Sequence, residues 1–577
     1  MSDLRPNKQA SPGDDAALVL AVLGVMVVAI LGGGLVYLAA AITGHGEGGP
    51  VRWLVRPAGA RWSAGATVAL VALLSVVAVP TAAIGVALVR ARRRREWTDP
   101  LARSMSSARD VREMTADAVG RDTARLGAQR AGIGIGLGRA VAQRVELYAT
   151  YEWSQVWIMG TRAGKTRHVA VRQIVEHGGP VVTTSNKRDT HDWCRGPRSE
   201  RGTVWVNDPQ DIVGEPASWW WNPLSYVTTV ERAEKLVALW AASRTSETVG
   251  SLDPYFDPEG RRYAANLLMA AASGGEDLTR LADWLTGREP APGVPDPREY
   301  LRGAGYLMMA KDLDKIWQLA PEQRDGIVGT AASFFGFLRD PRYVRWITRQ
   351  GAQDTRPEFD PAAFVGSTDT LFLVSKEGAG SARAITGALV AAVQAAGEHL
   401  AQHSGGRCPT PILFVLDEAA NVCRWPELPS LYSHAGGQGM ILVTILQSAS
   451  QGREVWDQLG FRKMTGATNI LACGRGLNDA DDLHDLALLI GDRQTRHRSH
   501  STGSKGHHSS SVDVREERIF SEADLRALPR GRAVLFASGA RPILIETVDY
   551  TQQPWAWKVD ASQEHYSRLG AETGAAL

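Results

Sequence analysis

Gln155-Val-Trp-Ile-Met-Gly-Thr-Arg-Ala-Gly-Lys-Thr166 is the stretch on which the fold turns. Gln155–Met159 is an apolar run of strand length, Gly160 to Thr166 is a glycine loop ending in Lys-Thr, and a helical stretch follows to His177. A strand that passes through such a loop into a helix supplies what phosphate binding needs. Backbone N–H groups of Gly160, Thr161, Arg162, Ala163 and Gly164 curl round the anion at a helix N-terminus, Lys165 reaches the β- and γ-phosphates, and Thr166 offers its hydroxyl to Mg²⁺. The strict GxxxxGK[ST] spacing puts its first glycine at residue 159, where Met159 stands; Gly160 comes one place later. The chain has ten lysines against 54 arginines, which makes a lysine inside a motif less like filler.

A second signature lies far downstream. Pro411-Ile-Leu-Phe-Val-Leu-Asp-Glu418 is an apolar strand that ends in two carboxylates. Asp417 suits the water shell of a magnesium ion and Glu418 the polarisation of an attacking water. A further strand, Met440–Leu446, ends in Gln447, an amide able to hydrogen-bond a γ-phosphate or its water. Short buried runs also stand at Pro180–Thr184, Thr203–Val206, Thr370–Val374 and Asn469–Ala472, separated by helical stretches. That alternation predicts an α/β fold: a mainly parallel sheet with helices on both faces. The rhythm breaks from about residue 228 to 349, where the pattern is helical throughout, as in Glu231–Ala242 and Gly260–Ala272. An all-helical insertion between two strands explains the break.

Composition bounds the rest. With 577 residues, 44% apolar and 22% charged, wholesale disorder is excluded. The net charge of +2 gives no global field to attract a polyanion, so any such partner must be held by local patches. Cys194, Cys408, Cys423 and Cys473 form no close pair, which excludes a disulfide framework or a CxxC zinc site. Ala16 to Ile42 and Ala64 to Val89 carry no charge, and each exceeds the ~20 residues needed to cross a bilayer. Arg90 and Arg92 to Arg95 follow the second run directly, so the positive-inside rule predicts both termini in the cytoplasm and residues 43–63 outside. A soluble machine tethered by a two-helix transmembrane hairpin is expected.

Several segments are read more simply. Residues 99–129 are polar, arginine-rich and helically spaced, and suggest a stalk. Gly132-Ile-Gly-Ile-Gly-Leu-Gly138 lacks the sixth-position glycine of a dinucleotide fingerprint and reads as a flexible turn. Residues 496–511, rich in Ser, His and Gly, read as a mobile loop with solvated histidines. Trp219, Trp220 and Trp221 suit packing at a domain joint better than stacking on bases.

The ordered motifs Tyr148-Ala-Thr-Tyr-Glu152, Gly160–Thr166, Thr184-Ser-Asn-Lys-Arg-Asp189, Val206-Asn-Asp-Pro-Gln210, Trp220-Trp-Asn-Pro-Leu224, Leu416-Asp-Glu-Ala-Ala-Asn421, Gly437-Gln-Gly439 and Leu446-Gln-Ser448 together resemble the coupling proteins of bacterial conjugation. These are the membrane-anchored TraG/TraD-like ATPases of type IV secretion. The resemblance, which runs from the two spans to about residue 550, implies a RecA-like P-loop NTPase with an inserted all-alpha domain. It implies a homo-hexamer at the cell membrane that uses ATP and Mg²⁺ to bring relaxase-bound single-stranded DNA to the secretion channel. By it, Gly160 to Thr166 bind the nucleotide, Thr166 and Asp417 the metal, while Glu418 and Gln447 act on the water. The expected parts are an anchor (1–95), a first NTPase part (96–227), the helical insertion (228–349), a second NTPase part (350–550) and a C-terminal tail (551–577). Many relatives carry an arginine before the sensor strand that reaches a neighbouring subunit; Ser433-His-Ala-Gly-Gly-Gln-Gly439 has none, leaving Arg424, Arg453 and Arg475 as substitutes. The alternatives are a septal-type double-stranded DNA translocase, a secretion ATPase that moves protein substrates, and a membrane scaffold with a decayed P-loop.

Overall fold

The computed structural model describes residues 96–244, 253–285, 289–376, 382–502 and 508–575, with isolated positions before them. The chain divides into two compact units, residues 1–97 and 98–577, and the description below concerns the second. Apart from those isolated positions, the two predicted spans and the arginine cluster lie outside the described residues. No helix among those described is long and apolar enough to cross a membrane.

Thirteen strands are described: β1 (Ile135–Ala140), β2 (Glu146–Ala149), β3 (Gln155–Ile158), β4 (Val181–Ser185), β5 (Val204–Asn207), β6 (Thr370–Val374), β7 (Ile412–Asp417), β8 (Met440–Leu446), β9 (Ile470–Gly474), β10 (Asp492–Thr502), β11 (His508–Arg518), β12 (Arg532–Ala537) and β13 (Ile543–Glu546). Eleven build one sheet in the order β2-β1-β13-β12-β9-β3-β8-β7-β4-β6-β5. From β9 to β5 every pairing is parallel. From β9 outward to β2 every pairing is antiparallel.

The parallel strands are apolar on both faces because each face has its own core. Along β7, Ile412, Phe414 and Leu416 enter one buried cluster while Leu413 and Val415 enter the other. β8 divides in the same way, with Met440, Leu442 and Leu446 on one side and Ile441, Val443 and Ile445 on the other. The period-2 alternation of a strand therefore survives as a choice between two cores, and the sequence shows it as an unbroken apolar run.

Between β5 and β6 the described chain is helical, with Val230–Ala242, Phe256–Gly274, Leu307–Trp317 and Pro321–Phe334 as its longest elements. Buried aromatics hold it: the Trp317 indole N–H donates to the Tyr263 hydroxyl, which donates to the Trp284 carbonyl, each at 3.1 Å. Trp219 and Trp221 are buried where the insertion meets the sheet. The Trp219 ring lies edge-on to Trp205 and Trp346, and its N–H donates to the Val206 carbonyl at 3.0 Å.

Three simpler readings are corrected, and the expected tail gains a structure. Residues 99–129 are no free stalk: four short helical segments bury Met105, Val111, Met114 and Val119, and Asp99 grips Arg532 through two bonds of 2.8 and 2.9 Å. Gly132–Gly138 is no turn but the run into β1. A Cβ at Gly136 would meet the Arg172 guanidinium and one at Gly138 the Glu546 carbonyl, each at 2.5 Å, so these glycines mark close approach within a sheet. Residues 496–511 fall mostly in the antiparallel β10–β11 hairpin, with Arg496 opposite Val514 and Ser499 opposite Ser511. The expected tail is the helix Ala556–Ala575, seated on the helix Asp189–Ser199. There the Ser562 hydroxyl donates to the Asp192 carbonyl at 2.6 Å and accepts the Gly196 N–H at 2.9 Å.

Candidate functional site

Parallel strands deliver their C-terminal ends to one edge of a sheet, and the loops leaving that edge form the site. β3, β8 and β7 are neighbours there, followed by β4. The loop after β3 carries Gly160 to Thr166, β7 ends in Asp417 and Glu418, and Gln447 follows β8 between them. Residues far apart in the chain thus meet because strand order, not sequence order, sets their spacing.

The loop begins by prolonging the parallel ladder: the Met159 N–H donates to the Leu446 carbonyl at 3.0 Å and the Gly160 N–H to Arg475 at 2.9 Å. Met159 is buried, 1% exposed, and its side chain lies against Gly474. Glycine is required one place later. A Cβ on Gly160 would collide with the carbonyl oxygen of Gly476. Position 159 is thus still strand and core, and the phosphate loop starts at Gly160. The turn itself uses the left-handed region at Arg162 (φ 57°) and Gly164 (φ 91°), and a Cβ at Gly164 would press on the His168 ring at 2.6 Å.

The functional side chains converge. Lys165 Nζ is 3.0 Å from Glu418 Oε1, and both side chains are buried. Gln447 Nε2 donates to Glu418 Oε2 at 2.7 Å. The Thr166 hydroxyl donates to Asp417 Oδ2 at 3.0 Å. Glu418 holds a left-handed backbone, φ 54°, a conformation costing a non-glycine residue of order 1 kcal/mol and kept here by contacts on both carboxylate oxygens. Burial, then the neighbouring Glu418, pushes the Asp417 carboxyl up to about 6, against the opposing pull of Lys165 and the Thr166 hydroxyl. Among the described residues, Asp417 Oδ1 is buried without a hydrogen-bond partner. A buried carboxylate oxygen lacking a donor, beside a threonine hydroxyl, fits an oxygen-seeking divalent cation such as Mg²⁺.

These groups line a cavity of about 880 Å³, to which Thr161, Arg162, Ala163 and Gly164 also contribute, large enough for a nucleotide. Gly160 is not among the lining residues; it supports the loop from beneath. Ser185, Asn186, Lys187 and Asp189 line it from the motif after β4, with Arg167, Trp193 and Arg530. Arg530 has no motif around it, and only the three-dimensional fold brings it here. The three arginines left as substitutes are separated by their partners. Arg424 pairs with Glu454 at 3.1 Å, and Arg453 with Asp482 at 2.7 Å and Asp479 at 3.1 Å. Arg475 is exposed, and its carbonyl supports the phosphate loop of its own chain.

A mainly parallel RecA-like sheet with a glycine-loop lysine facing a strand-terminal Asp-Glu pair defines a P-loop NTPase fold. Residues 411–530, which contain β7, Gln447 and Arg530, match the family model described as the TraM recognition site of TraD and TraG. No curated protein matches the sequence. Among solved structures, the unbound monoclinic form of the bacterial conjugative coupling protein TrwB (TrwBdeltaN70) aligns with a TM-score of 0.52 and 16% identity, over 74% of this chain and 91% of that one. A sulphate complex of the same protein aligns at 0.47 with 15% identity, over 74% and 92% of the two chains. Its complex with ADP and Mg²⁺ aligns at 0.46 with 14% identity, over 72% and 90%. The chain shares the fold of the unbound TrwB structure, and residues 411–530 are similar to the TraD and TraG segment that the family model describes.

Proposed function

We propose that the chain is a membrane-anchored ATPase that couples a relaxase–DNA substrate to a type IV secretion channel and drives conjugative transfer by ATP hydrolysis. One observation carries the reading: Lys165, Thr166, Asp417, Glu418 and Gln447 meet in one cavity at the ends of three adjacent strands. The TraD/TraG-type segment points that chemistry toward conjugation.

The site's own pairs outline the mechanism. The β- and γ-phosphates of ATP compete for Lys165 and draw it from Glu418, and the freed carboxylate accepts a proton from the attacking water. Gln447, bonded to the same carboxylate, orients that water and registers loss of the γ-phosphate. Thr166 and Asp417 would hold Mg²⁺, which would supply positive charge to the phosphate oxygens. The partners proposed are single-stranded DNA, a relaxase, channel components, the membrane and further copies of the chain in a homo-hexamer. The description of the 411–530 match adds a TraM-type protein.

With a net charge of only +2, DNA must meet arginines gathered on one face. ATP hydrolysis by the full chain in detergent should therefore rise with single-stranded DNA. The stimulation should fade steeply between about 50 and 200 mM salt, as counterions are released at several phosphate contacts. A ring seen by native mass spectrometry that hydrolyses ATP but ignores DNA at low salt would replace this reading with protein export. For the anchor, a cysteine placed at Gly48 should react with an impermeant reagent on intact cells and one at Ser104 should not. The reverse pattern would overturn the topology.

A further inference from the structure

We propose that Lys187, which lines the same cavity as Lys165, is a second cationic contact for the terminal phosphate; the inference rests on reading that cavity as a nucleotide site. β4 pairs in parallel with β7, Thr184 opposite Leu416, so the chain leaving β4 emerges level with Asp417 and Glu418. The Thr184 hydroxyl fixes this level by donating to the Asp417 carbonyl at 2.8 Å. The turn that follows is clamped by one side chain. The Ser185 hydroxyl accepts the Lys187 N–H at 3.2 Å and donates to the Lys187 carbonyl at 2.9 Å. Arg188 anchors the other side, donating to Asp192 at 2.7 Å and to the Tyr566 carbonyl at 2.9 Å. The backbone of Lys187 is therefore held from both sides while its side chain stays exposed and lines the cavity with Lys165, Thr166, Glu418 and Gln447.

Charge makes the same case. Lys165 is engaged by Glu418, and Arg167, which lines the same cavity, by Asp549 at 2.6 Å. Lys187 forms no ion pair with any carboxylate among the described residues, including Asp189 two places on, which lines the same cavity. In a chain with 54 arginines and ten lysines, a lysine here provides a compact, mobile ammonium where a planar fork would be held to one geometry. The γ-phosphate adds charge that a diphosphate lacks. A second ammonium level with Asp417 and Glu418 meets that charge, whereas Lys165 serves the β-phosphate as well.

The test is titration calorimetry on the full chain with Mg²⁺, comparing ADP with a non-hydrolysable ATP analogue. Lys187→Ala and Lys187→Gln should weaken the triphosphate about tenfold, the loss of one charge-assisted contact. ADP affinity should change less than about twofold, since the contact is to the γ-phosphate. Lys187→Arg, which keeps the charge, should recover part of the loss. Equal weakening of both ligands, or of neither, in both neutral variants overturns the proposal. Lys165→Ala run alongside separates the two readings: it should weaken both ligands, and if it weakens neither, the nucleotide site itself has been misassigned.

Discussion

The seven parallel strands from β9 to β5 and the four antiparallel strands from β12 to β2 share one sheet and both of its cores, but they do different work. The parallel part aligns its strand ends at one edge and places a phosphate loop, two carboxylates and an amide there. The antiparallel part contributes no strand end to that cluster. It fastens the polar segment 99–129 through the Asp99–Arg532 and Asp110–Arg541 pairs. Its last strand leads to Thr547 and Asp549, which hold His168 and Arg167 just after the loop. Chemistry and scaffolding are thus separable by strand direction, and substitutions should tell them apart.

The largest expected effect is in the parallel part. Glu418→Gln preserves shape but cannot take the proton from water, so steady-state hydrolysis should fall about 10²- to 10⁴-fold while ATP still binds. Next comes Lys165→Ala, which should weaken nucleotide binding about 10- to 100-fold in calorimetry, with the unfolding temperature little changed. The opposite pattern is expected across the divide. Asp99→Ala removes two short charge-assisted bonds from the buried Arg532 guanidinium, leaving it Glu546 at 4.0 Å, and should cost about 2 kcal/mol in denaturant unfolding, with nucleotide affinity unaltered. Equal loss of affinity in that variant would collapse the distinction.

The smallest effect is on pH. Asp417 is pushed up to about 6 from 3.8, so the folded chain binds this proton more tightly than the unfolded chain does. The stability tied to that proton is full below about pH 4 and is lost as pH rises through about 6. Asp417→Asn, which carries no charge to bury, should therefore raise the melting temperature at about pH 8 and abolish dependence on Mg²⁺. In the parent, Mg²⁺-dependent nucleotide binding should fall about tenfold as pH drops from about 7 to 5, because the cation needs the carboxylate.

The same division governs what was legible in the sequence. Strands buried on both faces announce themselves as continuous apolar runs, so β3, β4, β6, β7 and β8 are legible within a residue or two, with the candidate site residues at the ends of β3, β7 and β8. β1 was read as a turn because its glycines answer to neighbours the sequence does not show, Arg172 and Glu546. The segment 99–129 looked like a stalk because its burying positions are few and scattered among arginines. Met159 seemed a flaw in the loop, yet it is the last core residue of its strand, and the glycine that matters is the one beneath which Gly476 passes. Lys187 stands within Thr184–Asp189, and nothing in the sequence gives it a role, since only the pairing of β4 with β7 brings that segment level with Glu418.

The most direct measurement is ATP turnover by the 577-residue chain in detergent with Mg²⁺ and single-stranded DNA, with Lys165→Ala and Glu418→Gln assayed beside the parent. Hydrolysis in the parent, loss of binding in the first variant, and retained binding without turnover in the second is the result expected. A parent that binds no nucleotide, or variants that hydrolyse ATP as the parent does, would contradict it.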